Sequence, residues 1–365
     1  MAVTAGALED ARAPNCWQCG AMSTRAVGPD ELPPALHVPE RVVPVPASVS
    51  PEAQAMLGLG VLTPATRWPA LDDVDGWRRV ITERDQAALA AAGASPLPAG
   101  TEVRDIDLGD FPVYEIAPVG AAGDDRRVYL DFHGGGFVQG GGAVCRARTY
   151  NTSQWIGARV WSVDYRMPPD HPYPAAVTDC VTAYRALLDQ YRPQDVVLGG
   201  SSAGASLVAS TILRARDEGL PLPAAAVMNT PVVDLGTWGD TFHTNHGIDS
   251  ILDRDLVQAL LLYAGGHDLR DPYLSPLHGD LAKGFPPTIL LSGTRDLLLS
   301  DTVRFHRALL RAGLEAELHV FEAAGHGGFL GTAPEDRERL AQMRQFAESA
   351  WARGQQDRRP RPPQP

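Results

Sequence analysis

Between residues 101 and 350 the chain alternates short apolar runs with longer segments whose apolar positions recur every three or four residues. The short runs predict strands near 101–108, 112–116, 127–132, 158–163, 196–199, 224–228, 288–291 and 317–321. Between and after them the helical spacing predicts helices near 143–155, 174–190, 203–218, 254–263, 301–312 and 334–350. Runs such as VVLGG and TILLSG are apolar on both sides, as strands covered by helices on both faces require. The alternation predicts an α/β fold with a mostly parallel, doubly wound sheet. Two helical stretches precede it. In the first, Ser48 or Ser50 can cap, Pro51 suits the first turn, and Ala53, Met56 and Leu57 share a face. The second spans about 74–92, with Trp77, Val80, Ile81 and Ala88 as its apolar stripe. Helices ahead of the first strand suggest a cap.

This pattern divides the chain into an extended or disordered lead-in at 1–47, a helical cap at 48–98, and an α/β domain at 99–353 with a cap insert around 235–265. A disordered tail is expected at 354–365. The lead-in lacks periodicity and is punctuated by Pro29, Pro33, Pro34, Pro39, Pro44 and Pro46, and the tail GQQDRRPRPPQP is polar and proline-rich. No internal repeat is evident. A hydrophobic share of 44% and a charged share of 21% belong to a globular protein rather than a disordered one. The net charge of −12 repels nucleic acid and anionic lipid headgroups, so neither is expected as a partner.

The cysteines Cys16, Cys19, Cys145 and Cys180 are too few and scattered for a disulfide framework, which fits a reducing compartment. Cys16 and Cys19 have the spacing of half a zinc site or of a redox dithiol. No second pair or nearby histidine completes a metal set, so they are taken as two thiols in a loose tail. Glu9 and Asp10 interrupt any secretory signal, and no window reaches the length of a membrane span. The expectation is a cytoplasmic protein without membrane insertion, with Met22 as an alternative start.

Candidate chemistry begins with GGSSAGA at 199–205, which joins an apolar strand to a helical stretch. A nucleophile on such a sharp turn needs glycine two residues before and two after it. Gly200 and Gly204 flank Ser202 at those offsets, whereas Ser201 would have Gly199 and Ala203. Ser202 is therefore the candidate nucleophile. A hydroxyl needs a base and a group that orients the base. Downstream, Asp296 lies just past strand TILLSG; Asp301, its competitor, sits where the next helix wants an N-cap. His326 follows the last strand in a loop between glycines, while His319 falls inside the strand pattern. The order Ser, Asp, His is that of one known serine-hydrolase arrangement. HGGGF at 133–137 offers side-chain-free N–H groups, so Gly135, Gly136 and the N–H of Ala203 are candidate oxyanion donors. Neither glycine-rich segment has the spacing of a nucleotide-binding loop.

Taken together, HGGGF, DYRMPPDHPYPAAVTD, GSSAG, GTRDLLLSD and GHGGF resemble, in that order, the hormone-sensitive-lipase-like esterases, bacterial family IV of the α/β-hydrolases. The serine motif resembles the GTSAG branch, and the likeness covers roughly residues 100–350. It implies an α/β-hydrolase fold with an N-terminal helical cap and a serine carboxylesterase for short- to medium-chain acyl esters. It also implies the triad Ser202, Asp296, His326 and the oxyanion donors Gly135, Gly136 and Ala203, with no metal or organic cofactor. Lactones and amides are alternative substrates on the same site. A non-hydrolytic lyase and a ligand-binding receptor are the alternatives on the same fold, and the presence of His326 argues against the receptor. The expected partner is a small-molecule ester, and room is left for a homodimer. Asp164 and Arg166 are read as a buried ion pair shaping the loops rather than as substrate contacts. Asp170, Met167 and Pro168 depart from the residues usual in that family.

Overall fold

The computed structural model describes residues 38, 40–62, 67–92, 101, 103–117, 126–236 and 239–356. Cys16, Cys19 and the tail residues 357–365 lie outside them, as does most of the lead-in. Met1–Val43 form one unit, of which only residues 38 and 40–43 are described, without helix or strand; Pro44–Pro365 form the other and hold every element below.

Among the described residues the strands are β1 (Val103–Asp107), β2 (Pro112–Ile116), β3 (Val128–Phe132), β4 (Arg159–Val163), β5 (Val196–Ser201), β6 (Ala225–Asn229), β7 (Thr288–Gly293) and β8 (Ala316–Phe321). They form one sheet in the order β1-β2-β4-β3-β5-β6-β7-β8, antiparallel at β1-β2 and β2-β4 and parallel from β4 to β8. The expected mostly parallel sheet is the observed one. Register pairs Phe132 with Gly200 and Ser201 with Asn229, which aligns the carboxyl ends of β3, β5 and β6 along one edge. Loops leaving that edge converge where a ligand site belongs in such a sheet.

Period-two alternation sends neighbouring strand residues to opposite layers. Val196 and Leu198 join the larger core, which also takes in α4 (Ala175–Leu188), α5 (Ala203–Asp217) and α8 (Leu299–Arg311). Tyr129 and Val197 face the smaller core under α3 (Ala143–Ile156) and α9 (Pro334–Gln356). Two helices precede β1. In α1 (Pro51–Gly58) the side chain of Ser50 accepts from the N–H of Ala53, so Ser50 is the cap. Ser50 also donates through its N–H and hydroxyl to the two carboxylate oxygens of Glu335, at 2.7 and 2.8 Å, tying α1 to the start of α9. Ala53 and Leu57 of α1 pack with Ala324 and Phe329, on either side of His326. In α2 (Val74–Ala92) Trp77 is fully buried against Val138 and Ala259. Two short helices, α6 (Thr241–Thr244) and α7 (Leu256–Ala264), lie within the insert.

Three local expectations are corrected. Asp301 does not cap α8, which begins at Leu299; its buried carboxylate instead accepts from the N–H groups of Val233 and Asp234. Asp164 and Arg166 do not pair with each other. Arg166 binds Asp179 at 2.7 Å and Asp110 at 3.0 Å, while Asp164 accepts from Tyr114 and from the N–H of Gly142. Finally, α9 continues past the expected end of order to Gln356, because Gly354 is buried closely against Gln194.

Trp351 shows why the last helix matters. Its ring is 2% exposed, its Nε1 donates to the carbonyl of Asp195 at 2.9 Å, and Arg127 lies over its face. Trp351→Ala should cost about 3–5 kcal/mol, read as a lowered urea midpoint with an unchanged slope.

Candidate active site

Each sequence-predicted site residue follows a strand of the parallel block. Ser202 sits between β5 and α5 with φ 57° and ψ −123°, a backbone conformation that non-glycine residues occupy only under constraint. Its N–H donates to the carbonyl of Asn229 at 2.9 Å. Close packing enforces the turn: a Cβ on Gly204 would stand 1.9 Å from the Phe132 carbonyl oxygen. The neighbouring Ser201 belongs to β5, and its hydroxyl accepts from the Asn229 amide at 3.0 Å. Geometry thus separates the two serines as the spacing of the glycines does.

After β3 the chain enters the glycine loop. Gly135 has φ +139°, and a Cβ there would fall 2.0 Å from the Gln139 carbonyl oxygen. The Gly134 carbonyl accepts from Arg148 at 3.1 Å and stands 3.0 Å from Nδ1 of His133. The His133 ring is stacked on Tyr165 at 4.1 Å, and burial pushes its pKa down to about 3. The ring is therefore neutral and carries its proton on Nδ1, since a carbonyl can only accept. The N–H groups of Gly135, Gly136 and Ala203 donate to no acceptor among the described residues.

Asp296 follows β7 and is fully buried. One carboxylate oxygen stands 3.1 Å from Nδ1 of His326 and accepts from the N–H of Leu298; the other accepts from the Ser292 hydroxyl at 2.6 Å. His326 follows β8 in a turn closed by a bridge between Gly325 and Gly328. Ser202, His326, Gly135 and Gly136 line one cavity of about 460 Å³. Asp296 stands behind His326, and Ala203 is the first residue of α5. Trp68, Val138, Leu252, Leu256 and Ala259 furnish apolar wall, and Trp68 stacks on Trp77 of α2 at 5.0 Å.

The sequence profile of a family described as alpha/beta hydrolase fold matches residues 129–330, more than half of the chain. The chain belongs to the α/β-hydrolase family, in its hormone-sensitive-lipase-like branch. It is 37% identical over 238 residues to an acetyl-hydrolase of Streptomyces hygroscopicus, spanning 65% of this chain and 76% of that protein. Its fold is similar to the crystal structure of an esterase E25, with a TM-score of 0.79 at 36% identity over 86% of this chain and 98% of that one. It is also similar to an esterase from the bacterial hormone-sensitive lipase family, with a TM-score of 0.71 at 31% identity over 83% and 99%.

In this hydrolase the electrostatics of the His326 region involve a carboxylate that the sequence reading missed. Asp249 is fully buried and accepts from the backbone N–H groups of Ile251, Leu252, Leu297 and His326. It joins the Asp296 loop to the His326 loop. Burial, and after it the charge of Asp296, raises its pKa. The short-range Asx turn onto Ile251 and Leu252 is legible in sequence, but its long-range bonds are not. Burial alone would lower the pKa of His326, yet the adjacent carboxylates, Asp296 above all, leave it above the ordinary histidine value.

His133, Cys145 and Asp164 bring three potential metal-ligand atoms within 4.8 Å of one another. Each is already hydrogen-bonded within the protein, His133 to Gly134, Cys145 to the Val163 carbonyl and Asp164 to Tyr114. Burial raises the Cys145 thiol well above its usual pKa, which keeps it a thiol and a poor ligand. Among the described residues no helix is long and apolar enough to cross a membrane.

The turn at Ser202 leaves no space for a methyl group on Gly204. Gly204→Ala should lower stability by at least about 3 kcal/mol, the upper part of the range for overpacking, because backbone must yield. Chemical denaturation measures this, and a loss below ~1 kcal/mol would mean that the turn can open.

Proposed function

We propose that the chain is a serine carboxylesterase that hydrolyses small-molecule esters of short- to medium-chain acids, with Ser202 as nucleophile, His326 as base and Asp296 orienting it. One observation carries the reading. A serine on a constrained strand-to-helix turn shares a cavity with a histidine whose far nitrogen faces a buried, fully hydrogen-bonded carboxylate. The name of the Streptomyces relative supports a short acyl group. Helices α1 and α2 and the 235–265 insert act as a cap, in keeping with the place of Trp68, Leu256 and Ala259 in the cavity wall.

His326 takes the Ser202 proton as the oxygen attacks the ester carbonyl, and charge develops on the carbonyl oxygen. The N–H groups of Gly135, Gly136 and Ala203 are preorganised donors for that charge, because no acceptor among the described residues competes for them. Arg148 and His133 hold the opposite end of the 134–135 peptide. His326 returns the proton to the leaving alcohol, and water repeats the sequence on the acyl-enzyme. Lactones and amides meet the same groups, and a panel of both alongside linear esters ranks them.

Ser202→Ala should lower kcat/KM for an aryl acetate by at least about a thousand-fold with an unchanged circular dichroism spectrum. Serine-directed fluorophosphonate should label Ser202; a label elsewhere overturns the assignment. The base works only when neutral, so kcat/KM should fall as pH drops through a midpoint above 6.5, the ordinary histidine value. Removing the Asp296 charge by Asp296→Asn should move that midpoint down and reduce kcat by about 10⁴. An unmoved midpoint would assign the titration to another group.

A further inference from the structure

Beyond the reacting groups, the cavity continues across the carboxyl ends of β3, β5 and β6 into a second arm walled by α3 and α9. Its lining includes Asp131, Arg148, Ser201, Asn229 and Arg339. Apolar Trp155, Leu340 and Met343 share this wall, but hydrocarbon alone has no use for its two guanidinium groups. Hydrogen-bond capacity in the arm is unbalanced. The acceptors are already engaged: Asp131 by Ser162 and Thr152, and the side-chain Oδ1 of Asn229 by Arg339, which also meets Asp336 behind the wall. Donors remain over. Arg148 has the Gly134 carbonyl as its one hydrogen-bond acceptor among the described residues, out of five N–H groups. The Arg339 side chain is 12% exposed, and its Nε is buried without an acceptor. Ser201 accepts from Asn229 and keeps its own hydroxyl proton to donate. Arg148 and Asp131 interact electrostatically but do not close on each other in an ion pair, so the Arg148 guanidinium stays open to the arm.

We infer that this arm recognises a carboxylate on the part of the ester remote from the scissile bond, held by Arg148 and Arg339. The preferred substrates are then monoesters of short dicarboxylic acids or acyl esters of short hydroxy acids. A carboxylate supplies up to four acceptor sites and no donor, which matches the surplus on the two guanidiniums. The inference rests on the esterase reading of the same cavity and narrows it to a substrate class.

Two length-matched pairs test it: mono-4-nitrophenyl adipate against 4-nitrophenyl hexanoate, and 6-acetoxyhexanoic acid against hexyl acetate. In at least one pair the acid should be favoured in kcat/KM by about ten-fold or more. That preference should fall by a similar factor in Arg148→Met and in Arg339→Met. Arg148→Met keeps the test open if loss of the ion pair between Arg339 and Asp336 unfolds the second variant. The ratio within a pair is the readout, because loosening of the glycine loop by loss of Arg148 affects both members. Neutral esters favoured in both pairs would overturn the inference, as would equal turnover of the adipate and its primary-amide analogue, or a ratio unchanged in both variants. Failure to hydrolyse any of the four would instead overturn the esterase reading.

Discussion

The site depends on how closely α5 approaches the end of β3. With only a hydrogen on Gly204, the first turn of α5 comes against the Phe132 carbonyl, at a distance that a methyl group would forbid. That approach forces Ser202 to positive φ and sets it beside the glycine loop, which leaves from the next residue after β3. Two backbone segments far apart in sequence are thereby held together without a side chain between them. The parallel register then brings the loops of β7 and β8 to the same edge.

Burial does most of the electrostatic tuning. It keeps His133 neutral despite the bond to the Gly134 carbonyl, and it raises the acidic groups Asp131, Asp249 and Asp301. At His326 the carboxylate neighbours outweigh desolvation. Structural and reactive roles share this ledger of charge. Asp249 takes no part in the proposed proton transfers, yet it bonds the backbone on both sides of them.

The succession of strands and helices along the chain was legible in the sequence, because period-two and helical patterns persist wherever one face or both faces are buried. The relation of Ser202 to its glycines was legible for the same reason that it exists: the contact admits no side chain. What escaped reading were partners chosen by tertiary packing. Asp301 looks like a cap because a helix starts nearby, but its carboxylate serves the N–H groups of Val233 and Asp234, almost seventy residues back. Asp164 and Arg166 are two residues apart, so both belong to one loop, and each finds its counterpart elsewhere. Asp249 shows only its short turn locally, and Arg148 and Arg339 carried no local motif; the importance of all three comes from where the chain ends up. The helix running to Gln356 was hidden by the polar, proline-rich composition of the segment that follows it.

The bond between Ser50 and Glu335 has a consequence for how the molecule comes into being. Its partners are 285 residues apart. During synthesis, therefore, α1 has nothing to dock on until nearly the whole chain has been made. The surface it finally meets, Ala323, Ala324, Phe329 and Ala333, surrounds the turn that carries His326. The first helix among the described residues is thus among the last parts of the fold to settle, and its docking closes over the loop that holds the proposed base.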